Sequence, residues 1–267
     1  MPGERGSFGG SGFGAALAVS ARAGGRADAL IGERLSRRFG SRLVVRDVSV
    51  RVAAREVVGL LGPNGAGKTT IFGLLAGSLR PTSGVVRLGE RDLSRLPMFA
   101  RARLGITYLP QETSVFRRLS VAENIEAVLE TVEPDRGARR ARLDELLGEL
   151  GLADKRDRRA DSLSGGERRR LEITRALVLR PRFMLLDEPF AGIDPIAVGD
   201  TQKWVRMLRS RGIGVMITDH NVRETLSICD RAYILTEGRV LEQGTPAELA
   251  RDPRVREAYL GENFSLP

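Results

Sequence analysis

The stretch that most constrains this chain is the junction at residues 56–69. Glu56-Val57-Val58-Gly59-Leu60-Leu61 reads as a buried strand and runs straight into Gly62-Pro63-Asn64-Gly65-Ala66-Gly67-Lys68-Thr69. The second segment fits the pattern of a glycine, four residues and Gly-Lys-Thr, a phosphate-binding loop leading into a helix expected to start near Thr70. Glycine lets successive backbone N–H groups turn inward around phosphate oxygens with no Cβ in the way, and the helix start adds its dipole. Lys68 is placed to meet β- and γ-phosphate oxygens, and Thr69 to offer a hydroxyl to Mg²⁺.

The rest of the chain alternates strand-like and helix-like stretches. From Ala29 apolar and polar residues alternate through Leu43-Val44-Val45 and Val48-Ser49-Val50-Arg51-Val52, so paired strands are expected ahead of the loop. Later strand-like clusters lie at 85–88, 105–109, 183–186, 214–217 and 232–235, while 120–180 reads as mostly helical with breaks around Pro134 and Gly151. Strands separated by helices argue for a parallel α/β sheet. No internal repeat is present. Residues 1–28, with eight glycines, read as a flexible Gly/Ala-rich tail, and the apolar run Ala15–Val19 is too short for the core of a signal peptide.

Two further segments carry chemistry. Phe183-Met184-Leu185-Leu186-Asp187-Glu188 is a buried strand ending in two acids, at the strand end where ligands gather in an α/β sheet. Asp187 is suited to hold Mg²⁺ through water and Glu188 to orient or deprotonate an attacking water; the plainer alternative is a solvated acidic turn before Pro189. Leu163-Ser164-Gly165-Gly166-Glu167 opens a helix with Ser164 as N-cap and Glu167 three residues on. Its glycines allow a phosphate close to exposed N–H groups, which gives a second anion site with no obvious partner; read as structure only, it is a capped surface helix with an arginine-rich face. His220 at another strand end and Gln111 in a loop are weak signals alone.

Composition removes several function classes. One cysteine, Cys229, excludes an intrachain disulfide and a multi-cysteine zinc site, and one histidine leaves no zinc-protease motif. No run approaches the ~18 apolar residues of a spanning helix, so any membrane role is borrowed from a partner. The formal charge of +9 invites a nucleic-acid reading, but 40 of the 43 basic residues are arginine and they are spread along the chain. An anionic nucleotide, an acidic protein partner or an anionic membrane surface suits a basic chain equally well.

In order and spacing these segments resemble the ABC-type ATPases: loop Gly62–Thr69, Gln111, signature Leu163–Glu167, strand Phe183–Glu188, Ala191-Gly192-Ile193-Asp194 and His220. The resemblance covers residues 29–250. It implies an α/β P-loop NTPase of ABC type, with a RecA-like core of mostly parallel sheet, an N-terminal antiparallel β subdomain and an α-helical subdomain at about 112–178, followed by a C-terminal tail at 251–267. It implies ATP and Mg²⁺, with Glu188 and His220 catalytic and Thr69, Gln111 and Asp187 at the metal. Gly62, Pro63, Asn64, Gly65, Ala66, Gly67, Lys68, Thr69, Thr70 and Gln111 would bind nucleotide, with Phe39 stacking on adenine where the family more often has tyrosine. In this family two cassettes pair head to tail. Ser164, Gly165, Gly166 and Asp194 of one copy would then complete the ATP site of the other, which explains the orphan anion site and implies a homodimer.

Several strings resemble more narrowly the ATPases of lipopolysaccharide exporters: Leu109-Pro110-Gln111-Glu112, Val115-Phe116-Arg117-Arg118-Leu119, Asp187-Glu188-Pro189-Phe190-Ala191-Gly192, Thr218-Asp219-His220-Asn221-Val222, and the ending Tyr259-Leu260-Gly261-Glu262-Asn263-Phe264. That implies two transmembrane permease subunits (LptF/LptG-like), contacted through Phe116 and Arg117 at the cytoplasmic face of the inner membrane, and no direct nucleic acid. The alternative is the ATPase of a branched-chain amino-acid importer, which has a similar ending. A nucleic-acid-linked ABC protein fits less well, because no long insertion separates the loop from the signature.

Overall fold

The computed structural model describes residues 28–192 and 195–266, without the side chains of 195–197. Residues 1–27, which hold nearly all of the expected tail, and Asp194 lie outside the described residues. In chain order the strands are β1 Ala29–Phe39, β2 Arg42–Ala53, β3 Val57–Leu61, β4 Ser83–Leu88, β5 Arg91–Asp92, β6 Ile106–Leu109, β7 Phe183–Asp187, β8 Gly214–Thr218, β9 Arg231–Thr236 and β10 Arg239–Gly244. The helices used below are α1 Lys68–Ala76, α2 Met98–Arg103, α3 Val121–Leu129, α4 Arg136–Glu149, α5 Gly165–Val178, α6 Pro195–Ser210 and α7 Val222–Leu226.

Two sheets result. An antiparallel sheet has the order β2-β1-β4-β5, and a six-stranded sheet has the order β10-β9-β3-β8-β7-β6. In the larger sheet β9, β3, β8, β7 and β6 run parallel, and β10 is the antiparallel edge. The two stretches expected as separate strands at 43–45 and 48–52 are one strand, β2. Asp47 takes a left-handed φ of 57° between them, and its N–H donates to the Ser36 hydroxyl at 3.0 Å, so the strand continues past the irregularity.

The period of two along β7 divides the interior. Phe183 and Leu185 join the core formed by β1, β2, β4 and α1, whereas Met184 and Leu186 join the core beneath α3, α4 and α5. The parallel strands are buried along both faces, as expected of a sheet covered on both sides. Helix α1 is anchored at its far end by Arg101 of α2, a fully buried arginine. Its Nη1 donates to the carbonyls of Leu74 and Leu75 at 2.6 and 2.7 Å and its Nε to Leu96 at 2.9 Å. Burial lowers the Arg101 pKa to about 10, which still leaves the guanidinium charged.

Candidate active site

The phosphate-binding loop leaves β3 and enters α1 with three glycines at positive φ: Gly62 at 147°, Gly65 at 79° and Gly67 at 100°. Gly62 has no room for a side chain, because a Cβ there would lie 2.2 Å from the Leu235 carbonyl oxygen of β9. Helix α1 starts two residues earlier than expected, at Lys68, since left-handed Gly67 serves as its N-cap with no side-chain cap bond. The Lys68 ammonium curls back over the loop and donates to the carbonyls of Gly62 and Pro63 at 2.7 and 3.0 Å. Burial holds its pKa below the ordinary value, opposed by the nearby carboxylates of Glu188 and Asp187.

Asn64, Gly65, Gly67, Lys68, Thr69, Thr70 and Glu188 share the wall of a cleft of about 270 Å³ with Arg42 and Val44. A larger cleft of about 830 Å³ adjoins it, lined by 41–44, Arg46, Pro63–Ala66, Thr236 and Glu237. Phe39 stands at the end of β1, just before the turn that leads to this lining; its ring is 43% exposed and Arg37 stacks on it at 4.6 Å.

The two acids at the end of β7 have different surroundings. Asp187 is buried, and its Oδ2 accepts the Tyr108 hydroxyl at 2.9 Å. Burial raises its pKa above the ordinary carboxylate range, and the Tyr108 hydrogen bond opposes that. The Tyr108 hydroxyl is in turn pushed well up by burial and by Asp187. Glu188 sits at a left-handed φ of 47°, and its N–H donates to the Thr218 carbonyl at 2.7 Å. Such a conformation is uncommon for a residue other than glycine and gathers at functional sites. The Gln111 amide donates to Glu188 Oε2 at 2.8 Å, and His220 Nδ1 lies 3.3 Å from the same oxygen. Two weak sequence signals thus converge on one carboxylate. His220 is exposed, and its loop is set by buried Asp219, whose carboxylate accepts the N–H groups of Phe190 and Asn221, both at 2.8 Å.

No group of three His, Cys, Asp or Glu residues able to hold a metal occurs among the described residues. Mg²⁺ typically takes one or two carboxylates and completes its octahedron with phosphate oxygens and water. Asp187, whose Oδ1 is free of the Tyr108 bond, and the Thr69 hydroxyl on the cleft wall fit such a cation.

The signature lies at the start of α5. Ser164 is the N-cap of a capping box with Glu167, and Gly165 and Gly166 form the first turn. Gly165 shares the wall of a cavity of about 150 Å³ with Gln111 and Glu188. Along its length α5 grips the loop that follows Gln111. The Ser114 N–H donates to Glu172 Oε1 at 2.8 Å and its carbonyl accepts from Arg175 at 2.6 Å, while Asn124 of α3 binds both the N–H and the carbonyl of Phe116. Phe116 remains 48% exposed with Arg175 stacked at 4.5 Å, and Arg117 is exposed beside it. Sequence reading missed Tyr108, Asp219, Glu172, Arg175 and Asn124. Glu172 left a trace, as an acid three residues after Arg169 and three before Arg175 on one face of α5.

Residues 45–191 match the ABC transporter family. The chain belongs to the ABC transporter ATPases. Residues 239–265 also match the branched-chain amino acid ATP-binding cassette transporter family. The cassette is 58% identical over 234 residues to the lipopolysaccharide export system ATP-binding protein LptB of Acidithiobacillus ferridurans, a match covering 88% of this chain and 97% of that one. It is 52% identical over 239 residues to the protein of that name from Escherichia coli (strain K12), covering 89% and 99%. Among solved structures, the ADP conformation of MJ1267, an ATP-binding cassette of an ABC transporter, superposes with a TM-score of 0.79 at 27% identity, covering 88% of this chain and 99% of that one. ATP hydrolysis on behalf of a transporter is therefore the activity of this ABC ATPase. No helix among the described residues is long and apolar enough to cross a membrane. As a member of the ABC transporter ATPases the chain works with membrane permease subunits.

Proposed function

We propose that this chain is the ATP-hydrolysing subunit of a lipopolysaccharide exporter, seated at the cytoplasmic face of the inner membrane as a homodimer beneath two LptF/LptG-like permeases. The observation that carries the reading is 58% identity across 97% of a relative bearing the export name. One observation favours a branched-chain amino-acid importer, the match at residues 239–265. It is confined to the C-terminal end, whereas the export relatives align over nearly their whole length.

Each residue then has a task. On nucleotide binding Lys68 exchanges the carbonyls of Gly62 and Pro63 for phosphate oxygens, and the N–H groups of Asn64–Thr70 close around them. Phe39 offers its ring to adenine. Thr69, Asp187 and Gln111 would hold Mg²⁺, which would supply positive charge to offset that of the phosphates. Glu188 accepts the proton of the attacking water, and Gln111 and His220 fix its carboxylate. Ser164, Gly165, Gly166 and Asp194 of the second copy cover the γ-phosphate. Phe116 and Arg117 take up the permeases, and hydrolysis resets the dimer.

Glu188→Gln keeps the acceptor for Gln111 but not the base. Nucleotide binding is expected to persist while turnover falls by roughly 10²- to 10⁴-fold; hydrolysis at the parent rate would remove Glu188 from that role. Co-purification from membranes, with partners identified by mass, tests the substrate class. Recovery of amino-acid permeases in place of exporter subunits would overturn the export reading.

A further inference from the structure

Tyr108 has no part in the motifs of the site, yet its hydroxyl reaches the carboxylate at the end of β7. An ionised carboxylate only accepts hydrogen bonds, so the 2.9 Å contact is Tyr108 Oη donating to Asp187 Oδ2. Strand β6 pairs in parallel with β7, and Tyr108 lies opposite Leu185, two residues before Asp187 on the same face. The ring therefore lies on the α1 side of the sheet. There it meets Phe72 of α1 edge-on, with centroids 6.3 Å apart and planes at 65°. One aromatic side chain thus ties the acid of β7 to the helix that begins with Lys68 and Thr69.

The surroundings of Asp187 make that tie matter. The residue is 3% exposed, so little water is present to set its rotation, and χ2 of an aspartate is soft. With Oδ2 engaged by Tyr108, Oδ1 is the oxygen left for a ligand, and Asp187 lies near enough to Lys68 for their charges to interact. A ligating carboxylate held by an outer partner loses less freedom when its ligand arrives. We propose that Tyr108 is a positioning residue that orients the Asp187 carboxylate toward the divalent cation accompanying the nucleotide. The proposal rests on the ATPase reading above and adds to it a residue that contacts neither nucleotide nor cation.

Buried tyrosine hydroxyls also find partners for stability alone, so the test must separate cation affinity from folding. Tyr108→Phe keeps the ring against Phe72 and removes only the hydroxyl. In a Glu188→Gln background, where nucleotide is not consumed, Mn²⁺ is titrated into the protein–ATP complex and bound metal is read by electron paramagnetic resonance. Fluorescent-nucleotide affinity is measured in parallel in EDTA, and the thermal midpoint is recorded. Tyr108→Phe is expected to raise half-saturating Mn²⁺ about 10-fold, the scale of outer-partner loss at metal sites, with metal-free nucleotide affinity within about twofold. Unchanged half-saturating Mn²⁺ would overturn the proposal. So would an equal loss of nucleotide affinity in EDTA, which would mark a general distortion of the cleft. Absence of Mn²⁺-dependent binding in the parent with Tyr108 intact would overturn the ATPase reading and the proposal together, so the two failures are distinct.

Discussion

Helices α1 and α5 both start beside a glycine, and they begin in opposite ways. Helix α1 follows left-handed Gly67, has no side-chain cap and no acid in its first turn. Helix α5 follows Ser164, whose hydroxyl accepts the Glu167 N–H at 3.3 Å while the Glu167 carboxylate accepts the Ser164 N–H at 2.8 Å. Lys155 lies 3.3 Å from that carboxylate. The first helix leaves its orphan donors to be satisfied by a ligand, and the second satisfies two of them itself. In the head-to-tail pairing proposed above, the difference separates a site that holds phosphate from one that closes on phosphate brought by another copy. A self-capped helix keeps its shape with no nucleotide present, which suits a surface that must dock and release.

The far end of α1 offers the largest way to break this contrast. An open front end needs a firm rear anchor, and Arg101 supplies one through the carbonyls of Leu74, Leu75 and Leu96. Arg101→Ala leaves those acceptors buried and unpaired at about 1–3 kcal/mol each. A total loss of about 3–5 kcal/mol is expected, on the order of 10 °C in the unfolding midpoint. A change below about 1 kcal/mol by urea titration would show that α1 stands without its anchor. Lys68→Ala acts at the open end. Two charge-assisted hydrogen bonds to phosphate are lost, so nucleotide affinity is expected to fall roughly 100-fold by fluorescent-nucleotide titration. Equal affinity in the two proteins would mean that backbone donors alone hold the phosphates.

The legibility of this chain follows the same divide. The loop at 62–69 and the acidic end of β7 were readable because glycine geometry and period-two burial are written in local sequence. The sequence alone points to a start of α1 near Thr70 because Gly67 reads as loop, whereas its left-handed backbone lets the helix begin at the next residue, Lys68. Arg101 sits in Ala-Arg-Ala-Arg, which reads as a solvated stretch, and only the packing of α2 on the end of α1 makes it a buried donor. Tyr108 reaches Asp187 through the parallel pairing of β6 with β7, strands separated by the whole of α3, α4 and α5. The grip of Glu172 and Arg175 on Ser114 likewise spans some sixty residues of chain. Contacts of that kind leave no periodic trace.

The smallest expected effects lie in the cap of α5, and they sharpen the contrast most. Ser164→Ala deletes the hydroxyl acceptor and is expected to cost about 1 kcal/mol of stability, with nucleotide affinity of the isolated chain unchanged because the phosphates are held at α1. Glu167→Gln keeps an acceptor for the Ser164 N–H but removes the charge. The Ser164 N–H, more than any other group, holds the Glu167 pKa below its ordinary 4.5. A carboxylate with a depressed folded pKa contributes stability that is present above its unfolded value and lost as pH falls through the folded one. Glu167→Gln is therefore expected to be less stable than the parent at neutral pH, by about 0.5 kcal/mol, and to match it in acid well below 4.5. The check is urea unfolding of both proteins at neutral and acid pH. A difference that stays constant across that range would show that Glu167 acts through shape alone. The closed start of α5 would then owe nothing to charge.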